Sequence, residues 1–247
     1  MPRKKETFTL IELGVNIDHI ATLREARKGV VPSVLEAAAA CERAGAHQIT
    51  LHLRQDRRHI QDHDVYALAE SLTTRMNFEM AAVDEIIAIA HQVKPYTVCL
   101  VPENREEITT EGGLDVFAQQ AWLTEVVAGM HAHGIRVSLF IDPDITQVEA
   151  GAATGADFVE LHTGAYANAR DVAREIRRLQ ASAEAIAQTR LRFHAGHGLT
   201  ARNLAPIVGL QGLREVNIGH DIISRALFIG LDAAVKEVLE ALKPAGM

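Results

Sequence analysis

The stretch Gln48-Ile-Thr-Leu-His-Leu-Arg-Gln-Asp-Arg-Arg-His-Ile60 runs an apolar alternation straight into a dense cluster of ionisable groups. Ile49, Leu51 and Leu53 alternate with Thr50 and His52, a period of two that suits a pleated strand and sets His52 on the face opposite the leucines. Arg54, Arg57, Arg58 and His59 follow where the strand should end. Guanidinium forks match phosphate and carboxylate oxygens bidentately, so the loop reads as an anion-binding segment. A solvated basic loop is the alternative reading, and the stretch by itself does not separate the two.

Outward from this stretch the same unit recurs. Gly155-Ala-Asp-Phe-Val-Glu-Leu-His-Thr163 matches Gly45-Ala-His-Gln-Ile-Thr-Leu-His-Leu53 in Gly, Ala, Leu and His at the same offsets, a weak internal repeat. Further strands are expected at Leu13 to His19, Met76 to Ala81, Tyr96 to Val101, Arg136 to Ile141, Arg192 to Gly198 and Glu215 to His220. Between them lie helical patterns. Val34 to Arg43 is alanine-rich, with Ser33 as cap and Gly45 placed for a left-handed C-terminus. Asp64 to Leu72, Glu85 to Val93 behind a capping Asp84, Val116 to His133 and Ile145 to Ala153 follow. Val172, Ile176, Leu179, Ala183 and Ile186 make one apolar stripe, as do Leu231, Ala234, Val235, Val238, Leu239 and Leu242 in a final helix. Ile20 to Pro32 and Glu103 to Asp115 read as loops, and the length of the second, with Thr109, Thr110, Gly112 and Gly113, suits a binding loop or lid. Eight strands alternating with helices predict an α/β fold, a closed (β/α)₈ barrel with extra helices; a doubly wound open sheet is the fallback.

A chain of 247 residues with 48% hydrophobic content buries enough surface for one barrel domain, here expected over residues 13–247 after an N-terminal extension, 1–12, expected to be disordered. The net charge of −7 argues against nucleic-acid binding, which depends on clustered Lys and Arg. Cys41 and Cys99 fall inside an expected helix and strand, which reads as two free thiols in a reducing compartment and hence a cytoplasmic location. Arg3, Lys4 and Lys5 open the chain, but Glu6, Glu12 and Asp18 break the apolar run of a signal peptide. No run of apolar residues is long enough for a membrane helix, so no membrane partner is expected.

In such a barrel the active site lies where strands end, and these ends are polar: Asn16, Asp18 and His19; His52 and Arg54; Glu79; Glu160 and His162; His197; Asn217 and His220. One such histidine is more often structural than catalytic, but several strand ends together favour chemistry. Gly196-His-Gly198 and Gly219-His220 close the last two strands before a short extra helix at Asp221 to Phe228, an arrangement that offers backbone donors and a helix N-terminus to phosphate. Two ordinary glycine turns are the plain alternative.

Four longer segments carry a resemblance: Gly14-Val-Asn-Ile-Asp-His-Ile-Ala-Thr-Leu-Arg24, His52-Leu-Arg-Gln-Asp-Arg-Arg-His-Ile60, Thr109-Thr-Glu-Gly-Gly-Leu-Asp115 and Ala195-Gly-His-Gly-Leu-Thr200. Together and in this order they resemble the pyridoxine 5′-phosphate synthase family over nearly the whole chain after Leu13. The resemblance implies a homo-octamer that joins 1-deoxy-D-xylulose 5-phosphate to 3-amino-2-oxopropyl phosphate, with no cofactor and no metal. It implies acid and base roles for His52, Glu79 and His197, and a cation-stabilising role for Glu160. It assigns Asn16, Arg27, Gly198, Gly219 and His220 to the amino-ketone phosphate, and Asp18, His19, Arg54, His59 and Thr109 to the deoxyxylulose phosphate. Gln55 stands where the family often has an acid and His194 where it has asparagine, so His194 inherits no role. Met1 to Glu6 lie outside the resemblance.

Three other readings compete. A metal-dependent phosphosugar epimerase or hydrolase would use the same imidazoles and carboxylates as ligands, and bound-metal analysis would reveal it. A Schiff-base aldolase needs a positioned amine, but Lys28 and Lys94 fall at no expected strand end. A phosphate-binding protein without activity would need the arginines and glycines but not Glu79 among apolar sequence neighbours.

Overall fold

The structure, a computed structural model, describes residues 10–103 and 112–243. In chain order the elements are β1 (Glu12–Asn16), α1 (Asp18–Glu25), α2 (Val34–Ala44), β2 (Gln48–His52), α3 (Asp62–Ser71), β3 (Arg75–Met80), α4 (Asp84–Val93), β4 (Thr97–Leu100) and α5 (Val116–Ala132). They continue with β5 (Arg136–Ile141), α6 (Ile145–Ala153), β6 (Phe158–His162), α7 (Gly164–Ala167), α8 (Val172–Ile186), β7 (Arg192–Gly196), α9 (Ala205–Val208), β8 (Leu213–Ile218), α10 (His220–Ile229) and α11 (Leu231–Ala241). All eight strands pair in parallel, and β1 bonds to both β2 and β8, so the sheet closes and the open-sheet alternative falls.

The clean alternation of β2 has a specific cause. Parallel strands buried on both faces ordinarily read as continuous apolar runs. Here the outward residues, among them Leu13, Val15, Ile49, Leu51, Phe78, Met80, Val98, Leu100, Leu139 and Val159, pack under the helices as the main core. The inward residues are polar and bond across the barrel: Gln48 Nε2 donates to Glu215 Oε1 at 2.7 Å, and Thr50 Oγ1 to Asn217 Oδ1 at 2.9 Å. A barrel interior is usually filled by branched apolar side chains. Here, among the described residues, Cys99, Val101 and Phe140 form a second, small apolar cluster.

Local expectations hold where the signal is local. Ser33 caps α2, its side chain accepting from the Glu36 amide, and Gly45 ends the helix at φ 108°. Three expectations are corrected. The first strand stops at Asn16, and the expected loop after it holds α1, because the Asn16 side chain accepts from the Asp18 amide and turns the chain into a helix. Asp84 does not cap α4; it is that helix's first residue, and Val83 stands at the cap without a side-chain bond. Val172 lies exposed on α8, whose buried residues begin at Leu179, because the apolar stripe outruns the surface it packs on. Of the expected N-terminal extension, residues 1–9 lie outside the described residues, while Ile11 is buried and Glu12 opens β1. Among the described residues no helix is long and apolar enough to cross a membrane.

Candidate active site

The strand ends converge on one mouth. Asn16 leaves β1 with its Nδ2 donating to Asp18 Oδ2 at 2.9 Å and reaching Glu79 Oε2 at 3.5 Å. Asp18 Oδ1 accepts from the His52 amide at 2.8 Å, which fastens the start of α1 to the end of β2. His52 then faces two carboxyl groups: Nε2 lies 2.8 Å from Glu103 Oε1, and Nδ1 lies 4.0 Å from Glu79 Oε2. Glu103 Oε2 also accepts from the Gln55 amide at 3.0 Å, a bond made by the backbone and independent of the side chain at that position.

Glu160 is buried, and the Glu79 side chain is mostly so, 17% exposed. Burial raises Glu79 well above the ordinary carboxylate value, and the charges of Asp18 and Glu160 add to it. Phe78 and Met80 beside it in sequence point the other way, into the helix-facing core, so its surroundings come from other strands. Burial, with the Glu215 charge, pushes Glu160 up to about 8, and Asn217 Nδ2 opposes this by donating to Glu160 Oε2 at 2.8 Å.

His197 sits at φ 77°, a left-handed conformation that costs a side-chain-bearing residue energy and that clusters at functional sites. Thr163 holds the turn, its Oγ1 within 2.7 Å of His197 O and 2.8 Å of Gly196 O. The ring meets that of His162 edge-on at 4.9 Å, and His162 Nδ1 lies 2.9 Å from Asp142 Oδ1. Burial lowers His197 to about 4, helped by His162. Gly198 follows at φ 75°, where a Cβ would come within 2.6 Å of Ala167 Cβ.

Next to β7, β8 ends beside β1. A Cβ on Gly219 would lie 2.9 Å from Asn16 Cβ, and the rings of His19 and His220 meet edge-on at 4.9 Å. Burial, then the nearby His220 charge, lowers His19, against a smaller upward pull from Asp18. His19 Nδ1 is buried without a hydrogen-bond partner among the described residues. His59 stands 6.2 Å from the His52 ring, lowered chiefly by burial. Arg54 is buried, its Nε 3.7 Å from Asp56 Oδ1.

The structure divides the remaining basic residues. Arg57 pairs with Asp62 and Glu85, and Arg58 with Asp56, so both serve the loop's own surface. Arg27 is exposed on the turn after α1 and is not brought to the mouth. The buried arginine of that helix is Arg24, which clasps Asp64 through two bonds of 2.7 Å and reaches His59 O at 3.2 Å. Thr109 lies outside the described residues. His194 belongs to the lower barrel: its Nδ1 is 3.5 Å from Glu215 Oε1, and burial, with the charges of Arg75 and Arg192, drives it down to about 3.

Sequence reasoning gave no role to Glu103, Asp142, Glu215 or Asn217. Asn217 was visible as a polar strand end, and Glu103 and Asp142 each adjoin a proline that stops a strand. A carboxyl at such a stop is the signal that would have found them. Asp18, His52 and Glu79 also present ligand atoms within 4.8 Å of one another, a set able to hold a divalent metal ion.

Similarity to known proteins agrees with this geometry. Structures of phosphoribosyl anthranilate isomerase from Thermus thermophilus (14% identity, TM-score 0.62, covering 94% of this chain and 98% of that one) and of 3-hexulose-6-phosphate synthase (19%, 0.65, 94% and 100%) share the barrel. Pyridoxine 5′-phosphate synthase of Synechococcus sp. (strain JA-2-3B'a(2-13)) is 54% identical over 236 residues, covering 94% of this chain and 99% of that protein. The protein of the same name from Neisseria meningitidis is 53% identical over 233 residues, 93% of this chain and 96% of that one. Residues 13–244 match the family described as pyridoxal phosphate biosynthesis protein PdxJ. On that whole-length match, the chain is an enzyme that belongs to the pyridoxine 5′-phosphate synthase (PdxJ) family of vitamin B6 biosynthesis.

Proposed function

We propose that this barrel condenses 1-deoxy-D-xylulose 5-phosphate with 3-amino-2-oxopropyl phosphate to give pyridoxine 5′-phosphate, phosphate and water, by successive proton transfers and without a cofactor. The observation that carries the reading is the meeting of four titratable groups, His52, Glu79, Glu160 and His197, at one mouth, with both carboxyls pushed up and His197 pushed down.

Joining an amine to a ketone, expelling phosphate and water and closing an aromatic ring needs protons placed and removed several times. Glu79, raised well above the ordinary carboxylate value, is suited to carry a proton: it gives one to a leaving oxygen and takes the next from carbon or nitrogen. His197, depressed to about 4, is a neutral imidazole at neutral pH, and once loaded it surrenders its proton readily. His52 stands between Glu79 and Glu103 and exchanges protons at the same centre. A cationic intermediate above Glu160 draws out that group's ionised form and is stabilised by it.

Gly198, Gly219, Asn16 and His220 receive the amino-ketone phosphate, where glycines let backbone donors approach the anion and α10 contributes its N-terminus. Arg27 joins them only if the ligand or a neighbouring subunit recruits it. Asp18, His19, Arg54 and His59, with Thr109, hold the deoxyxylulose phosphate. A homo-octamer in the cytoplasm is part of the same proposal.

The Asp18, His52 and Glu79 set favours a second reading, a metal-dependent phosphosugar enzyme. One experiment separates the two: turnover of both substrates, read as pyridoxine 5′-phosphate and released phosphate, before and after dialysis against chelator. Product formed at equal rates in both samples supports the proposal. Activity lost on dialysis and restored by one divalent ion supports the second reading, and no product in either sample overturns the first.

A further inference from the structure

Beneath the mouth lies a buried polar chain that the proton transfers above do not use. Asn217 Nδ2 donates to Glu160 Oε2 at 2.8 Å and approaches Glu215 Oε1 at 3.4 Å, while Asn217 Oδ1 accepts from Thr50 Oγ1 at 2.9 Å. One amide thus engages both its ends. Glu215 is held from below by Gln48 Nε2 at 2.7 Å and Arg75 Nη2 at 3.1 Å, and Arg75 also grips Glu12.

The backbone is cut to this arrangement. A Cβ on Gly14 would lie 2.0 Å from Asn217 Oδ1, and one on Gly196 would lie 2.0 Å from Glu160 Oε1. Both glycines sit in regular strands without positive φ, so backbone conformation does not require them. The space does: any other residue at either position collides with one of the two side chains.

We propose that Asn217 is a positioning residue, seated in the space left by Gly14, which aims the Glu160 carboxyl, itself seated in the space left by Gly196, at the mouth and joins it to Glu215, a buried carboxyl of the lower barrel. This rests on the reading of Glu160 as the group beneath a cationic intermediate. The titratable groups around Glu160 are Glu79 on β3, Cys99 on β4, His194 on β7 and Glu215 on β8. Two neighbours act on it in opposite senses. The Glu215 charge disfavours ionisation of Glu160, and the Asn217 amide favours it, since a donor bonds best to the charged form. Asn217 therefore permits a carboxyl to be buried with its proton and still lose that proton when a cation arrives.

The test follows the Glu160 carboxyl by carbon NMR of side-chain-labelled protein without substrate, its signal assigned by loss in Glu160→Gln. Asn217→Leu should move the titration upward and Glu215→Gln should move it downward. Gly14→Ala, which displaces Asn217 without replacing it, should reproduce the upward shift. In turnover, Asn217→Leu and Gly14→Ala should lower kcat by about tenfold or more and leave KM within about twofold, the split expected when ground-state binding is spared. A melting temperature that falls while the Glu160 titration stays put in Asn217→Leu, or in Gly14→Ala should the first variant not fold, overturns the proposal. Wild-type protein that titrates as described yet makes no pyridoxine 5′-phosphate overturns the reading of the reaction and leaves the positioning intact.

Discussion

Glu103 Oε1 lies 2.8 Å from His52 Nε2, on the side of the imidazole away from Glu79. The two carboxyls flanking this ring are driven apart. Burial pushes Glu103 upward, but the His52 bond and charge, the Gln55 amide and the Arg54 charge outweigh it, and its net shift is downward. Glu79 shifts strongly upward through burial and the Asp18 charge. Carboxyls separated in this way mark one as a fixed charge and the other as a proton carrier.

Glu103→Gln should therefore weaken catalysis by loosening His52 without emptying the site. We expect kcat to fall about tenfold, roughly 1.4 kcal/mol of barrier, with KM little changed. Steady-state kinetics on a variant with the parent's melting temperature checks this, and unchanged turnover would release Glu103 from any part in the mechanism.

Glu79→Gln keeps the shape of the protonated carboxyl but carries no proton between intermediates. Turnover should drop by roughly 10²–10⁴-fold, the span of general acid–base catalysis, while calorimetry still records binding of both phosphates. Near-normal turnover in folded protein would exclude Glu79. Its stability should change little, because the amide and the protonated carboxyl are both neutral groups of the same shape.

At Gly219 a side chain meets Asn16, with Cβ 2.9 Å from Asn16 Cβ and 3.0 Å from its Oδ1. Gly219→Val should weaken binding of 3-amino-2-oxopropyl phosphate and spare that of 1-deoxy-D-xylulose 5-phosphate. Equal calorimetric affinities for the first ligand in parent and variant would be incompatible with a phosphate site at this turn.

Stability should depend on pH with a definite sign. Burial raises Glu160 to about 8 and Glu215 to about 7 from an ordinary 4.5, so the fold binds these protons more tightly than the open chain does. Their contribution is full below pH 4.5 and is lost as pH rises to about 8. Burial lowers His194 to about 3 and His197 to about 4 from 6.5, and their contribution is present above pH 6.5 and lost as pH falls. Between pH 6.5 and about 8 only the carboxyl effect operates, so the melting temperature should decline across that window. Glu215→Gln should flatten the decline; a melting temperature that rises across the window would contradict the assignment.

Arg24 and Asp64 are both buried and doubly bonded at 2.7 Å, joining α1 to α3 beneath the loop that carries His59. Without Asp64 the buried guanidinium keeps only Glu25, at 2.9 Å, and the His59 carbonyl, so Asp64→Asn should cost up to about 3 kcal/mol in urea unfolding. A loss below about 1 kcal/mol would show that water reaches the pair.

The barrel was legible because its signal is local. Each inward residue of β2, Thr50 and His52, and each outward one, Ile49 and Leu51, declares its face by the period of two, and a polar interior keeps that period visible. Polar strand ends followed by glycine turns located the mouth for the same reason. Arg24 and Arg27 show where locality fails: without the helix that begins at Asp18, nothing in the sequence says which of two arginines turns inward. Glu79 shows it differently. Its apolar neighbours in sequence rightly announced a buried carboxyl, but they face the helices, and the desolvation comes from other strands. His52 meets Glu103 across 51 positions, and Asn217 meets Glu160 across 57. Strand periodicity is a property of one segment, whereas these pairs depend on register and closure among several, so only the tertiary structure decided which side chains share a proton.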